Sequence, residues 1–143
     1  MLENKISHSY DGLGTFFEDY APMSVPDYQR GFDWNQSHVE ELWEDLHYYV
    51  EKELAQEEEE FFVGTIILKS PAEEKERYQI VDGQQRLTSI YLLAIVLRDR
   101  FKEIDTNTKR DVDTIFLNSY DIDENRSPKF LGNQKIRDVL KHI

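Results

Sequence analysis

From Val39 to Leu54 the apolar residues Val39, Leu42, Trp43, Leu46, Val50 and Leu54 recur at steps of three and four, while Glu40, Glu41, Glu44 and Asp45 fall mainly off that stripe. This is the pattern of a helix that buries one face. Ser37 stands three residues ahead of Glu40. At that spacing a serine oxygen can accept from the third amide while the glutamate returns to the serine amide, so the helix is predicted to start there. It should fray within Gln56–Glu60, where consecutive glutamates repel one another and oppose the helix dipole. Upstream, Thr15–Trp34 opens on a short aromatic turn and reads as irregular chain around Pro22 and Pro26, with a short strand at Met23–Val25.

Beyond the acidic run, FFVGTIILKS and RYQIVD are two stretches rich in aromatic and β-branched residues, separated by PAEEKE. They predict a β-hairpin with a six-residue charged connection. Asp82-Gly83-Gln84-Gln85-Arg86 follows at once, then LTSIYLLAIVLRDRF, whose apolar residues wrap almost the whole circumference of a helix. Such a helix is buried, and Arg98, Arg100 and Lys102 are placed to complement its negative end. A third helix is expected over part of Lys109–Asn118. The closing IRDVLKHI repeats apolar residues at Ile136, Val139, Leu140 and Ile143, an amphipathic segment that needs a surface to pack on. We therefore expect residues 1–143 to form a single domain, a fragment of a longer protein that is incomplete at its C-terminal end.

Composition narrows the classes. A chain of 143 residues with 13% aromatics and only six glycines and four prolines is globular, not collagenous or disordered. No apolar run approaches the roughly 20 residues of a membrane-spanning helix, and the N-terminus lacks a secretory stretch, so a soluble, cytoplasmic protein without membrane contact is expected. The net charge of -12 disfavours non-specific DNA binding by this piece alone. With no cysteine, disulfides, zinc ribbons, iron–sulfur sites and thiol nucleophiles are excluded. The four histidines are scattered without metal-ligand spacing.

Two clusters carry candidate chemistry. Gly83 sits at a strand-to-helix turn, where the backbone can approach a ligand closely and free amides make a phosphate site. Asp82 could hold a metal ion or orient water, Gln84 and Gln85 both donate and accept, and Arg86 is a bidentate phosphate partner. The same residues read equally as an Asp-Gly turn followed by an ordinary first turn. The second cluster, Tyr28-Gln29-Arg30-Gly31-Phe32-Asp33-Trp34, mixes an arginine that can clamp phosphate with rings that can stack on bases. Alternatively its rings are core plugs and Arg30 is paired to an acid. The glycine spacing supports neither a Walker loop nor a Rossmann fingerprint.

Taken in order, VPDYQRGFDW, HVEELWEDL, FFVGTIIL and IVDGQQRLTSIYLL resemble the N-terminal domain of GmrSD-type modification-dependent restriction enzymes, over roughly Gly14–Phe101. The resemblance implies a ParB/sulfiredoxin-like α+β fold, with a small mixed or antiparallel sheet packed with helices and the strand, DGQQR turn and helix forming a nucleotide-binding corner. It also implies a domain that binds and hydrolyses nucleoside triphosphates with a divalent cation, magnesium, in a prokaryotic DNA-restriction or phage-defence protein.

Carried over by position, the family motifs fall on Asp82, Gly83, Gln84, Gln85 and Arg86 and on Tyr28, Gln29 and Arg30. The resemblance makes Asp82, Gln84, Gln85 and Arg86 catalytic, with Asp82 at the metal. It gives the nucleotide to Tyr28, Gln29, Arg30, Gly83, Arg86 and Thr88. Gly83 and the following amides would hold phosphates, Arg86 and Arg30 would neutralise developing charge, and Gln84 or Gln85 would orient the nucleophile. The family's nuclease half, with its His-Asn-His type metal site, has no counterpart here. Partners are therefore expected to be the nucleotide, a nuclease domain or subunit missing from this chain, DNA only through the rest of the protein, and a second copy in a homodimer. Gly31 stands where the family commonly has proline, which loosens that loop. Sulfiredoxin chemistry is excluded because the turn lacks a cysteine. The competing expectation is a non-catalytic module that uses the same corner to sense DNA or a partner.

Overall fold

A computed structural model describes Ser7 and residues 9–57, 59–101, 103 and 105–141. The elements run α1 (Leu13–Asp19), β1 (Met23–Ser24), α2 (Gln36–Leu54), β2 (Ile67–Lys69), β3 (Tyr78–Asp82), α3 (Gln84–Phe101) and α4 (Thr106–Val112). A π-helical turn (Asp113–Leu117) follows, then β4 (Asn118–Tyr120), β5 (Arg126–Pro128), β6 (Phe130–Leu131) and α5 (Gln134–Leu140). The class is α+β with a mixed sheet, as expected.

The main sheet has the order β2-β3-β1-β6. β1 lies parallel to both neighbours, with Met23 opposite Tyr78 on one side and Phe130 on the other. Two residues suffice for this central strand because its ladder extends beyond it: Val25 N–H donates to Leu131 O at 2.8 Å and Tyr78 N–H to Pro22 O at 2.9 Å. β2 pairs antiparallel with β3 at the edge, with a bulge between Ile67 and Leu68. β4 and β5 form a separate hairpin. A fully buried set including Phe17, Met23, Ile80, Leu87 and Phe130 joins α1, the sheet and α3 into one core.

Burial leaves two cations in low-dielectric surroundings. Lys129 is buried and donates from Nζ to Ile115 O at 2.9 Å, and burial pushes its ammonium below the usual lysine range. Arg77 donates to Pro128 O at 2.9 Å, tying β3 to the β5–β6 corner, and burial lowers it also.

Several expectations are corrected. The segment read as an aromatic turn is helix α1, whose Phe17 packs edge-on against Phe116 at 5.7 Å. The cap of α2 is Asn35, not Ser37. Its side chain accepts from His38 N–H at 3.3 Å, and His38 Nδ1 accepts from Asn35 N–H at 3.3 Å. The reciprocal pattern is that of a capping box, moved two residues upstream because asparagine is at least as good a cap as serine.

The stripe on α2 is not buried either. Of its residues only Leu42 is buried, and Val39, Trp43, Val50 and Leu54 are exposed. The helix ends at Leu54, before the Gln56–Glu60 stretch in which fraying was expected, and Glu58 of that stretch lies outside the described residues.

The hairpin is present, but FFVGTI is not strand, and residues 70–77 connect the two strands. α3 is buried at positions from Leu87 to Ile95, and beyond that point Val96 and Leu97 are exposed. Arg98 and Arg100 do stand in its last turn, but Arg98 pairs with Asp99 at 2.8 Å and Asp113 at 3.7 Å, and Lys102 lies outside the described residues. The third helix starts earlier, at Thr106, and continues as the π-helical turn. In α5, Ile136 is buried, Leu140 half-buried and Val139 exposed, while Ile143 lies outside the described residues.

Candidate functional site

The turn between β3 and α3 is built by one glycine. Gly83 has φ +89°, and a Cβ there would come within 2.5 Å of Ile66 Cδ1 and 3.1 Å of Thr65 O. Only glycine satisfies both the left-handed backbone and the close approach. Its carbonyl accepts from Leu87 N–H at 3.1 Å, which starts α3. The amides ahead of Leu87 have no intrahelical acceptor. Asp82 is exposed and accepts from Gly83 N–H through Oδ1 at 2.9 Å.

The two sequence clusters, more than fifty residues apart, are tied together by side chain-to-backbone hydrogen bonds. Gln84 Nε2 donates to Arg30 O at 2.7 Å, and Gln85 Nε2 donates to Gly31 O at 2.9 Å. Gln85 Oε1 accepts from Asp33 N–H at 2.8 Å and Trp34 N–H at 3.3 Å. Gln29 Nε2 donates to Val81 O at 3.2 Å. The 29–34 loop, without regular secondary structure, thus takes its shape from the first turn of α3.

Arg86 is half-buried. Its guanidinium lies over the Trp34 ring, 6.0 Å from the centroid, and that ring stacks on His38 at 5.7 Å. On the other side it fills the space a side chain on Gly64 would need, and Gly64 has φ +123°. No carboxylate pairs with Arg86 among the described residues. Arg30 is exposed and reaches Asp33 at 3.5 Å, an ion pair worth little in water.

The structure therefore brings Asp82, Gly83, Gln84, Gln85 and Arg86 together with Gln29 and Arg30. Tyr28 is 75% exposed, so it is no core plug, whereas Trp34 packs against the core. Thr88 is buried one turn into the helix and presents little surface to a ligand.

Sequence reasoning missed three contributors. Trp34 as a platform for Arg86 and His38 as its stacking partner leave no periodic signal. Gly64 does leave one, since a glycine inside an apolar strand-like run marks a close backbone approach. An open cleft beside the loop is lined by Asp27, Gln29 and Gly31 on one wall and Asn133, Gln134 and Lys135 of the α5 start on the other.

Among the described residues no group of three His, Cys, Asp or Glu is placed to hold a metal ion. A magnesium ion carried on phosphates needs only one or two protein carboxylates, so Asp82 fits that role, with Oδ2 unengaged by any described group. No described helix is long and apolar enough to cross a membrane.

Comparison with known families gives one finding: the model of the GmrSD restriction endonuclease N-terminal domain matches residues 13–142. A search of curated proteins finds no match.

Proposed function

The chain belongs to the GmrSD restriction endonuclease N-terminal domain family, and so to a DNA-restriction or phage-defence system; from that premise we propose that it binds and hydrolyses nucleoside triphosphate at the β3–α3 corner. What supports the reading is the hydrogen-bonded join between the Gln84-Gln85 pair and the 30–34 backbone, which holds the Arg30 and Gly31 carbonyls against the first turn of α3. In this reading Gly83 and the amides after it hold phosphate oxygens, and Arg30 neutralises charge from the open side. Arg86, already desolvated on Trp34, supplies a second cation without a competing carboxylate. Asp82 is the residue that would hold a magnesium ion, which when bound would supply charge neutralisation. Gln84 keeps its Oε1 free of any described donor and is the residue able to orient water. Gln85, engaged at both ends, is a positioning residue.

That engagement of Gln85 favours a second reading, in which the corner holds nucleotide without turnover and acts as a DNA- or partner-sensing module. Titration of ATP, GTP, CTP and UTP with magnesium, following binding heat and phosphate release, separates the two. Saturable binding with release, both lost in Arg30→Ala and Arg86→Ala at unchanged melting temperature, supports the enzyme. A preorganised donor of this kind contributes about 3 kcal/mol to the transition state, so turnover should fall about a hundredfold or more. Saturable binding without release supports the sensing module. Absence of binding by the folded chain overturns both.

A further inference from the structure

The Arg86 guanidinium is half-buried, and none of its N–H donors finds an acceptor among the described residues. A partly desolvated cation whose lost hydration no hydrogen bond replaces marks a group kept for a partner outside the chain. Two walls hold it meanwhile. One is the bare backbone of Gly64, where a Cβ would collide with Nη1 of Arg86 and stand 3.1 Å from its Cζ and 3.7 Å from its Nε. The other is Trp34, whose ring centroid lies 6.0 Å from the same Cζ.

Each wall is anchored without help from Arg86. Phe61, Val63 and Ile66, on either side of Gly64, pack against the core, and Phe61 also stacks on Tyr49 of α2 at 4.9 Å. Trp34 packs against the core as well, donates its N–H to Gln85 Oε1 at 3.3 Å and stacks on His38 at 5.7 Å with the rings 20° apart. An indole face and a backbone without a side chain suit a flat, weakly hydrated guanidinium. They do not suit the compact, strongly hydrated ammonium of lysine.

We infer that Trp34 and Gly64 are positioning residues that form a slot for the Arg86 guanidinium, and that this slot, more than the positive charge at position 86, lets the corner act on a phosphoryl group. The inference rests on the reading of the corner as a nucleoside triphosphate site. A guanidinium fixed before the ligand arrives loses little freedom on binding, and its unbonded donors are left to phosphate oxygens. It has also shed part of its hydration shell, so its pull on developing negative charge is less damped by water. The same geometry makes Trp34 a reporter, since the indole lies beside a cation that a bound phosphate would share.

The test uses the full chain, with every variant compared well below its melting temperature. Trp43→Phe leaves Trp34 as the one indole of a chain that has two. In that background and without nucleotide, Arg86→Ala should change the Trp34 emission, and identical spectra overturn the inference. With magnesium and the triphosphate that wild type turns over best, Trp34→Leu should lower kcat about tenfold to a hundredfold while KM changes less, as expected for a displaced donor. Trp34→Phe keeps an aromatic face and should stay within about threefold of wild type. Arg86→Lys keeps the charge and should fall as far as Arg86→Ala. The slot is overturned if Trp34→Leu turns over like wild type, if Trp34→Phe falls as far as Trp34→Leu, or if Arg86→Lys matches wild type. Should Trp34→Leu not fold, Arg86→Lys and the emission comparison decide. Where wild type binds nucleotide without releasing phosphate, the same ranking is read in Kd. Wild type that binds no nucleotide overturns the reading of the corner and the slot together, whereas nucleotide handled equally well by wild type and Trp34→Leu overturns the slot alone.

Discussion

Arg86 occupies the space that a side chain on Gly64 would need, and Gly64 holds a backbone conformation, φ +123°, that L residues rarely adopt. A single glycine outside both motifs thus decides where the guanidinium sits, pressed toward the Trp34 ring. The corner is assembled from three separate stretches of chain.

Gly64→Ala should therefore destabilise the fold by about 1–3 kcal/mol, from overpacking and strained backbone together. Urea denaturation of Gly64→Ala, Arg86→Ala and the double variant measures it. Removing the guanidinium first should make the added methyl less costly, so the double variant should lose less than the sum. Strict additivity would place Arg86 elsewhere.

Gln85→Ala removes the partner of the Asp33 and Trp34 amides and of the Gly31 carbonyl. These groups lie near the surface and can turn to water, so the loss should be about 1–2 kcal/mol. The sharper readout is local: hydrogen exchange at the Asp33 amide should accelerate well beyond what the global loss accounts for. Unchanged exchange there would mean the loop holds itself.

The cap of α2 gives a comparison of two neighbours. Asn35→Ala removes the acceptor for His38 N–H and should cost about 1 kcal/mol, whereas Ser37→Ala should cost a few tenths at most. Thermal melts of the two variants should rank in that order, and the reverse ranking would restore Ser37 as the cap.

Tyr91 is buried, with its hydroxyl donating to Leu117 O at 3.3 Å, and burial pushes its phenol above the ordinary tyrosine range. The folded chain keeps this proton where the unfolded chain releases it. Its contribution is therefore fully present below about pH 10 and is lost as pH rises past that value toward the folded pKa. Tyr91→Phe should cost about 1 kcal/mol or less at neutral pH. Denaturation curves at rising alkaline pH should show the variant losing stability less steeply than wild type, and parallel loss would remove Tyr91 from the alkaline transition.

Family membership, the strand–Gly83–helix corner, the β2–β3 hairpin and helix α2 were legible in the sequence, because each rests on local information. Periodicity reports a helix, β-branched runs report strands, and an Asp-Gly step after a strand reports a turn. The motif residues of the corner could be named for the same reason. Their division of labour could not: nothing in the spelling DGQQR tells that Gln85 faces the 31–34 backbone at both ends. Pairings across fifty residues depend on where the sheet carries each segment. The central strand β1, two residues long, takes its place from partners at Tyr78 and Phe130 and not from its own pattern.

Burial likewise belongs to the tertiary structure. The spacing on α2 made a helix with an apolar stripe, but which surface that stripe meets is settled by what packs beside it, and within this chain only Leu42 finds a buried place. Sequence determined helix α2, the β2–β3 hairpin, the Gly83 turn into α3 and the chemical inventory, since these follow from side-chain type and local backbone preference. Tertiary structure alone decided which groups meet, because contact depends on the whole chain's path.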